Sequence, residues 1–124
     1  MNTPKQQRAV VLFAHGSRDP LWHRPVEAVA RTLTLAQPDL QVRCAYLELS
    51  TPDLATACRD LIEAGCRLIS VVPLFLGVGR HAREDLPLLV EALRAQYPAV
   101  EFTLKPAVGE DPRLVALLAD IASE

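Results

Sequence analysis

"RAVVLFAHGSRDP", residues 8 to 20, runs apolar without a break from Ala9 to Ala14 and then turns at once into His15, Gly16, Ser17 and Arg18. A strand with one wet face alternates apolar and polar side chains, so an unbroken apolar run reads as a strand covered on both faces. Three further stretches read as strands, "QVRCAYLEL" (41–49), "CRLISVVPLFL" (66–76) and "VEFTLKPA" (100–107), and the runs are taken as nearly continuous in Val, Leu and Ile. Each of the four runs is followed by helical spacing. Val26, Val29, Ala30 and Leu33 mark one inward face, and Pro38 stops it. Thr51 as a cap with Pro52 at the first position opens a second helix, lined by Leu54, Ala57, Cys58, Leu61 and Ile62 and closed by Gly65. A third is expected over 84–97, with Pro87 in its first turn, Leu86, Leu89, Val90 and Leu93 inward, and Pro98 beyond it. Asp111 and Pro112 cap and start a fourth, "RLVALLADIA".

Four β-α repeats with doubly buried strands define an α/β fold: a four-stranded, mainly parallel sheet with helices on both faces, flavodoxin-like in arrangement. In such sheets ligands bind beyond the carboxyl ends of the strands, which directs attention to the loops that follow them. With 124 residues, half of them apolar, the chain suits a single domain over 1–124. Thirteen Lys and Arg against fifteen Asp and Glu leave a net charge of −2 without a basic block, which argues against a nucleic-acid partner. "MNTPKQQRAVVLFAHG" lacks the long apolar core of a leader, and no apolar run reaches the roughly 18 residues that span a bilayer. A cytoplasmic protein without a membrane partner is expected. Cys44, Cys58 and Cys66 form no CxxC pair and are odd in number, so they read as free, buried thiols.

The strand-end loops are "HGSRDP" (15–20), "STP" (50–52) preceded by Glu48, "GVGRHARED" (77–85) and "VGEDP" (108–112). His15 and His81 both fall at this rim, each with a glycine within two residues and an arginine nearby. One loop histidine alone is more often a solvated bystander. Two neutral imidazoles at one rim can hold a divalent transition metal, and each can take a proton near neutral pH. Glu48, a carboxylate inside "YLEL", is either paired for function or an outward edge residue. His23 reads as a surface residue, and Trp22 beside it as packing or a partner contact.

Other motifs fail on context. "GVGRHA" satisfies G-x-G-x-x-G/A but follows the third strand, and the acidic residue some 20 positions on, Glu101, begins a strand instead of ending one. No G-x-x-x-x-G-K-[ST] run is present, and Ser17 lies outside a G-x-S-x-G elbow. Phosphoryl transfer through His15 is disfavoured by Ala14, which stands where phosphohistidine enzymes carry an arginine.

The strings "AHGSRDP", "AYLELSTPDLATA", "VVPLFLGVGRHAREDLP" and "PAVGEDPRL", in this order from about Arg8 to Leu118, resemble the CbiX/SirB family of class II tetrapyrrole chelatases. The resemblance is to the small single-domain form, a chelatase-like half domain. It implies an enzyme that inserts a divalent metal, Co²⁺ or Fe²⁺ and in some members Ni²⁺, into sirohydrochlorin for cobalamin or sirohaem biosynthesis, without an organic cofactor. It further implies His15 as base and metal ligand, His81 as second metal ligand, and Glu48 as substrate contact or aid to proton removal. Leu76, Gly77, Val78, Gly79 and Arg80 would lie against the ring, and Arg18, Arg80 and Arg83 would be available to the substrate carboxylates. Larger relatives carry two such halves, so the single-domain form is expected to build its cleft as a homodimer about a two-fold axis. A non-catalytic metal or tetrapyrrole carrier on the same fold is the alternative reading.

Overall fold

The computed structural model describes residues 7–124, with the side chains of all of them except His81. Residues 1–6, part of the segment read above for a leader, lie outside the described residues. Four strands alternate with four helices: β1 (Gln7–Ala14), α1 (Arg24–Ala36), β2 (Gln41–Tyr46), α2 (Leu54–Glu63), β3 (Cys66–Pro73), α3 (Arg80–Gln96), β4 (Glu101–Leu104) and α4 (Pro112–Ala122). Short 3-10 turns at Pro20–His23 and Val108–Glu110 precede α1 and α4. Among the described residues no helix is long and apolar enough to cross a membrane.

The sheet order is β2-β1-β3-β4, and every pairing is parallel. The chain steps one way from β1 to β2, then crosses back over β1 to β3 and on to β4. Right-handed crossovers turn that reversal into a change of face, so α1 lies on one side of the sheet and α2 and α3 on the other. Alternate residues of β1 serve the two sides. Ala9, Val11 and Phe13 pack with Leu54, Ala57, Cys58 and Leu61 of α2 and Leu86, Val90 and Leu93 of α3. Leu12 and Ala14 pack with Val26 of α1 and Tyr46 of β2. This double burial is what the unbroken apolar run in β1 encodes.

Several boundaries differ from the sequence reading. Helix α2 is capped by Asp53, whose side chain accepts the Thr56 N–H at 2.8 Å, not by Thr51 with Pro52. Helix α3 starts at Arg80, four residues before its expected start, because Gly79 takes the extended backbone of an N-cap. Pro87 therefore sits well inside α3, on its exposed side, where water can satisfy the carbonyl that the missing N–H leaves free. Val29 and Leu89, expected inward, are 44% and 41% exposed, since each helix meets the sheet along a narrower stripe than its apolar pattern suggests. Strands β2, β3 and β4 also end earlier than expected, although backbone pairing runs on past the end of β2.

Helix α4 departs most from a helix-covered sheet. Asp111 caps it, accepting the Arg113 N–H at 2.8 Å, and Pro112 stands at its first position, as expected. Arg113 folds back to pair with the same carboxylate at 2.7 Å, and these bonds hold the Asp111 carboxyl down at a pKa of about 2. Yet α4 packs against the 3-10 turn before it and buries none of its residues. Leu117, Leu118 and Ile121 are all exposed.

The three cysteines are free thiols; Cys58 and Cys66 are buried and Cys44 half-buried. Burial pushes the Cys58 thiol up to about 12 and raises the other two in the same direction. All three stay protonated near neutral pH and are poor metal ligands there.

Candidate functional site

The strand order reverses between β1 and β3, so the crevice beyond their carboxyl ends is the place where this architecture binds ligands. His15 stands at that crevice. It follows Ala14 directly, and the β1–β2 pairing continues past it: the Leu47 N–H donates to Ala14 O at 2.9 Å and the Glu48 N–H to His15 O at 3.0 Å. On the β3 side, the Leu74 N–H donates to Phe13 O at 2.8 Å, which carries the chain on to Phe75. Phe75 is 1% exposed and packs edge-on against Phe13. The His15 imidazole lies over it, ring centroids 4.3 Å apart with planes inclined by 30°. Such a stack contributes about 0.5–1.5 kcal/mol and fixes the plane of the ring. Neither nitrogen of His15 hydrogen-bonds within the described residues, so an exposed imidazole is held in orientation with its nitrogens available.

Gly16 makes this placement possible. Its φ of +100° is in the left-handed region, and a Cβ there would come within 1.8 Å of the Glu48 carbonyl oxygen. Only glycine lets the loop after β1 lie this close to the chain leaving β2.

A second set of bonds ties the two loops together. The Ser50 hydroxyl donates to Ser17 O at 2.7 Å and accepts the Ser17 N–H at 3.0 Å. His23 Nε2 lies 2.8 Å from the same oxygen. A hydroxyl has one proton, and Ser17 O receives it. The arrangement that satisfies all three contacts therefore has His23 donating through Nε2–H. The His23 ring also stacks on Tyr46 at 4.7 Å. His23 is thus a half-buried partner in a clamp instead of the surface residue expected from the sequence. Beyond it, Ser17 Oγ accepts the Asp19 N–H and the Asp19 side chain accepts the Leu21 N–H, both at 3.0 Å, which carries the bonding on to the turn before α1.

Removing the hydroxyl strands a half-buried carbonyl and two donors. Ser50→Ala is expected to destabilise the fold by about 2 kcal/mol. Urea unfolding reads this directly; a wild-type midpoint with an unchanged slope would show that the clamp carries no stability.

The remaining expected site residues divide. Glu48 is exposed and sits past the end of β2, beside the His15 backbone, so it is not a carboxylate buried in an apolar run. Leu76, 66% exposed, Gly77, Val78 and Gly79 form the short segment between β3 and α3. A Cβ added at Gly77 or Gly79 meets nothing within 4 Å, so these two glycines leave bare backbone open to a ligand. The backbone of His81 lies in the first turn of α3, not in a loop, and its side chain is the one outside the described set. Arg80 is in the same turn and pairs with Glu84 at 3.2 Å, a solvent-exposed pair of small energetic weight. Arg83, one helical turn on, and Lys105 after β4 border a depression of about 240 Å³ floored by Phe75, Val78 and Leu104. Arg18 is exposed on the His15 loop. Among the described residues no three metal-ligating side chains converge.

Sequence reasoning missed Ser50, Phe75 and Lys105. Phe75 had the one usable signal: it stands two residues beyond Pro73 at the end of a buried strand, in the cluster that also holds Phe13.

Fold and site together define a parallel α/β unit with an exposed imidazole at its topological switch point. Residues 9–124 match the CbiX family model, and the chain belongs to the CbiX family. It is similar to a sirohydrochlorin ferrochelatase of Priestia megaterium, 31% identical over 117 residues, covering 94% of this chain and 44% of that one. A sirohydrochlorin cobaltochelatase of Sulfolobus acidocaldarius is 28% identical over 115 residues, covering 93% and 89% respectively. A solved CbiX protein of Marinobacter aquaeolei, named for cobalamin biosynthesis, superposes with a TM-score of 0.80 at 34% identity, covering 94% of both chains. Several curated relatives are longer: the chain spans 44 to 63% of three of them.

Proposed function

We propose that this chain is a sirohydrochlorin chelatase that inserts Co²⁺ or Fe²⁺, with Ni²⁺ as a further candidate. The observation that carries the reading is the exposed His15 imidazole, stacked on Phe75 at the switch point with neither nitrogen hydrogen-bonded among the described residues. It is supported by relatives named as ferrochelatase and cobaltochelatase. In the reaction a divalent ion enters the ring as two pyrrole N–H protons leave, so the site must present the ion and accept protons. His15 does both in turn, as ligand and then as base. His81 is assigned as the second ligand, a reading supported by its backbone lying in the first turn of α3. Glu48, beside His15, assists proton removal or contacts the substrate. The bare backbone of Gly77 and Gly79 and the side chains of Leu76 and Val78 lie against the ring. Arg18, Arg80 and Arg83 meet its carboxylates, with Lys105 close to Arg83.

The same proposal includes a second copy of the chain as partner. It is supported by α4, whose Leu117, Leu118 and Ile121 are exposed among the described residues. A cytoplasmic setting accords with three free thiols.

Purified protein mixed with sirohydrochlorin and each metal in turn should accelerate the absorbance change of metallation. Rates equal to the uncatalysed ones with every metal would overturn the enzyme reading, and stoichiometric binding without turnover would return the carrier. Sedimentation of the same sample should give twice the chain mass.

A further inference from the structure

Leu49 is the one described residue other than glycine with a positive φ, at +62°. Leucine is disfavoured in the left-handed region because its Cβ crowds the following carbonyl. Strain of this kind is normally offset by packing, yet Leu49 is 56% exposed. What holds it is its neighbours. The Glu48 N–H is bonded to His15 O on one side, and the Ser50 hydroxyl is bonded to Ser17 on the other. The loop is thus fastened at both ends of an unpacked, strained leucine beside Gly16. Such outliers cluster where a ligand needs the side chain presented.

The strand order supplies the second observation. β1 lies between β2 and β3, so His15 at its end is flanked by the loops leaving both neighbours. One flank carries Leu76, 66% exposed, and the other carries Leu49. The loops on either side of the oriented imidazole thus each carry an exposed leucine at the rim where His15 emerges. A flat conjugated macrocycle has the complementary face, apolar across its width and polar at its central nitrogens.

We propose that Leu49 is a binding contact for the ring face of the macrocycle, the counterpart of Leu76 on the opposite flank. This rests on the tetrapyrrole reading above. Asparagine adopts the left-handed conformation readily, so Leu49→Asn relieves strain while removing the apolar contact. The test measures two quantities on the full chain: the thermal midpoint, and affinity for metal-free sirohydrochlorin by absorbance titration. Leu49→Asn is expected to melt at or above the wild-type temperature and to bind sirohydrochlorin about tenfold more weakly. Affinity equal to wild type, a midpoint lowered by several degrees, or an altered sedimentation mass would each overturn the inference, the last two by showing Leu49 to be a packing or interface residue. Wild-type protein that binds no sirohydrochlorin overturns the tetrapyrrole reading and this inference with it; undiminished binding by the variant overturns the inference alone.

Discussion

Replacing His15 by alanine is expected to slow metal insertion into sirohydrochlorin by about 10²–10⁴-fold, the usual range for loss of a positioned base. The fold should survive, because the ring is exposed and its main contact is the stack on Phe75. Loss of that stack costs about 1 kcal/mol. His15→Phe separates the two contributions: it keeps an aromatic ring over Phe75 but has no nitrogen, so it should restore stability and leave the reaction as slow as in the alanine variant. Metallation at more than a tenth of the wild-type rate in either variant would move the base elsewhere. Nearly normal melting of both variants is required for the kinetic result to be read as chemistry.

Gly16→Ala should destabilise the fold strongly, because a methyl there has nowhere to go. The new Cβ would stand 1.8 Å from the Glu48 carbonyl oxygen, and both partners are backbone, so neither can swing away. The φ of +100° adds its own penalty for any side chain. A cost of about 2–4 kcal/mol is expected, and the loops carrying His15 and Glu48 must separate, taking metallation with them. Gly77→Ala is the control, since its Cβ meets open space and the melting temperature should hardly move. Equal unfolding midpoints for the two variants would show that the close approach at Gly16 does not exist. Gly109 poses the same constraint on the opposite flank. Its Cβ would fall 1.8 Å from Leu76 O, while its N–H donates to Phe75 O at 2.9 Å.

Much of this architecture is legible in one dimension. The apolar run of β1 is unbroken because that strand is covered on both faces, whereas the edge strand β4, expected to be buried on both faces, alternates exposed Glu101 and Thr103 with buried Phe102. Asp111 followed by Pro112 marks a helix start by capping chemistry alone. The start of α3 was harder to see: Pro87 is an ordinary first-turn residue, but Gly79 captures the N-cap and the helix tolerates a proline on its wet side. The roles of His23 and Ser50 had no local signal. They lie 27 residues apart in the chain and meet because β2 runs beside β1.

What the sequence by itself determined is the set of elements, their order and the rim at which His15 and Glu48 emerge, since periodicity and capping depend on residues a few positions apart. Tertiary structure alone decided that His15 rests on Phe75, that Gly16 must pass under Glu48, and that Leu49 is held strained and exposed between two tethers. Each of those facts is a contact between segments leaving different strands. Such contacts depend on which strands are neighbours and in what register, and no local pattern of apolar and polar residues carries that information.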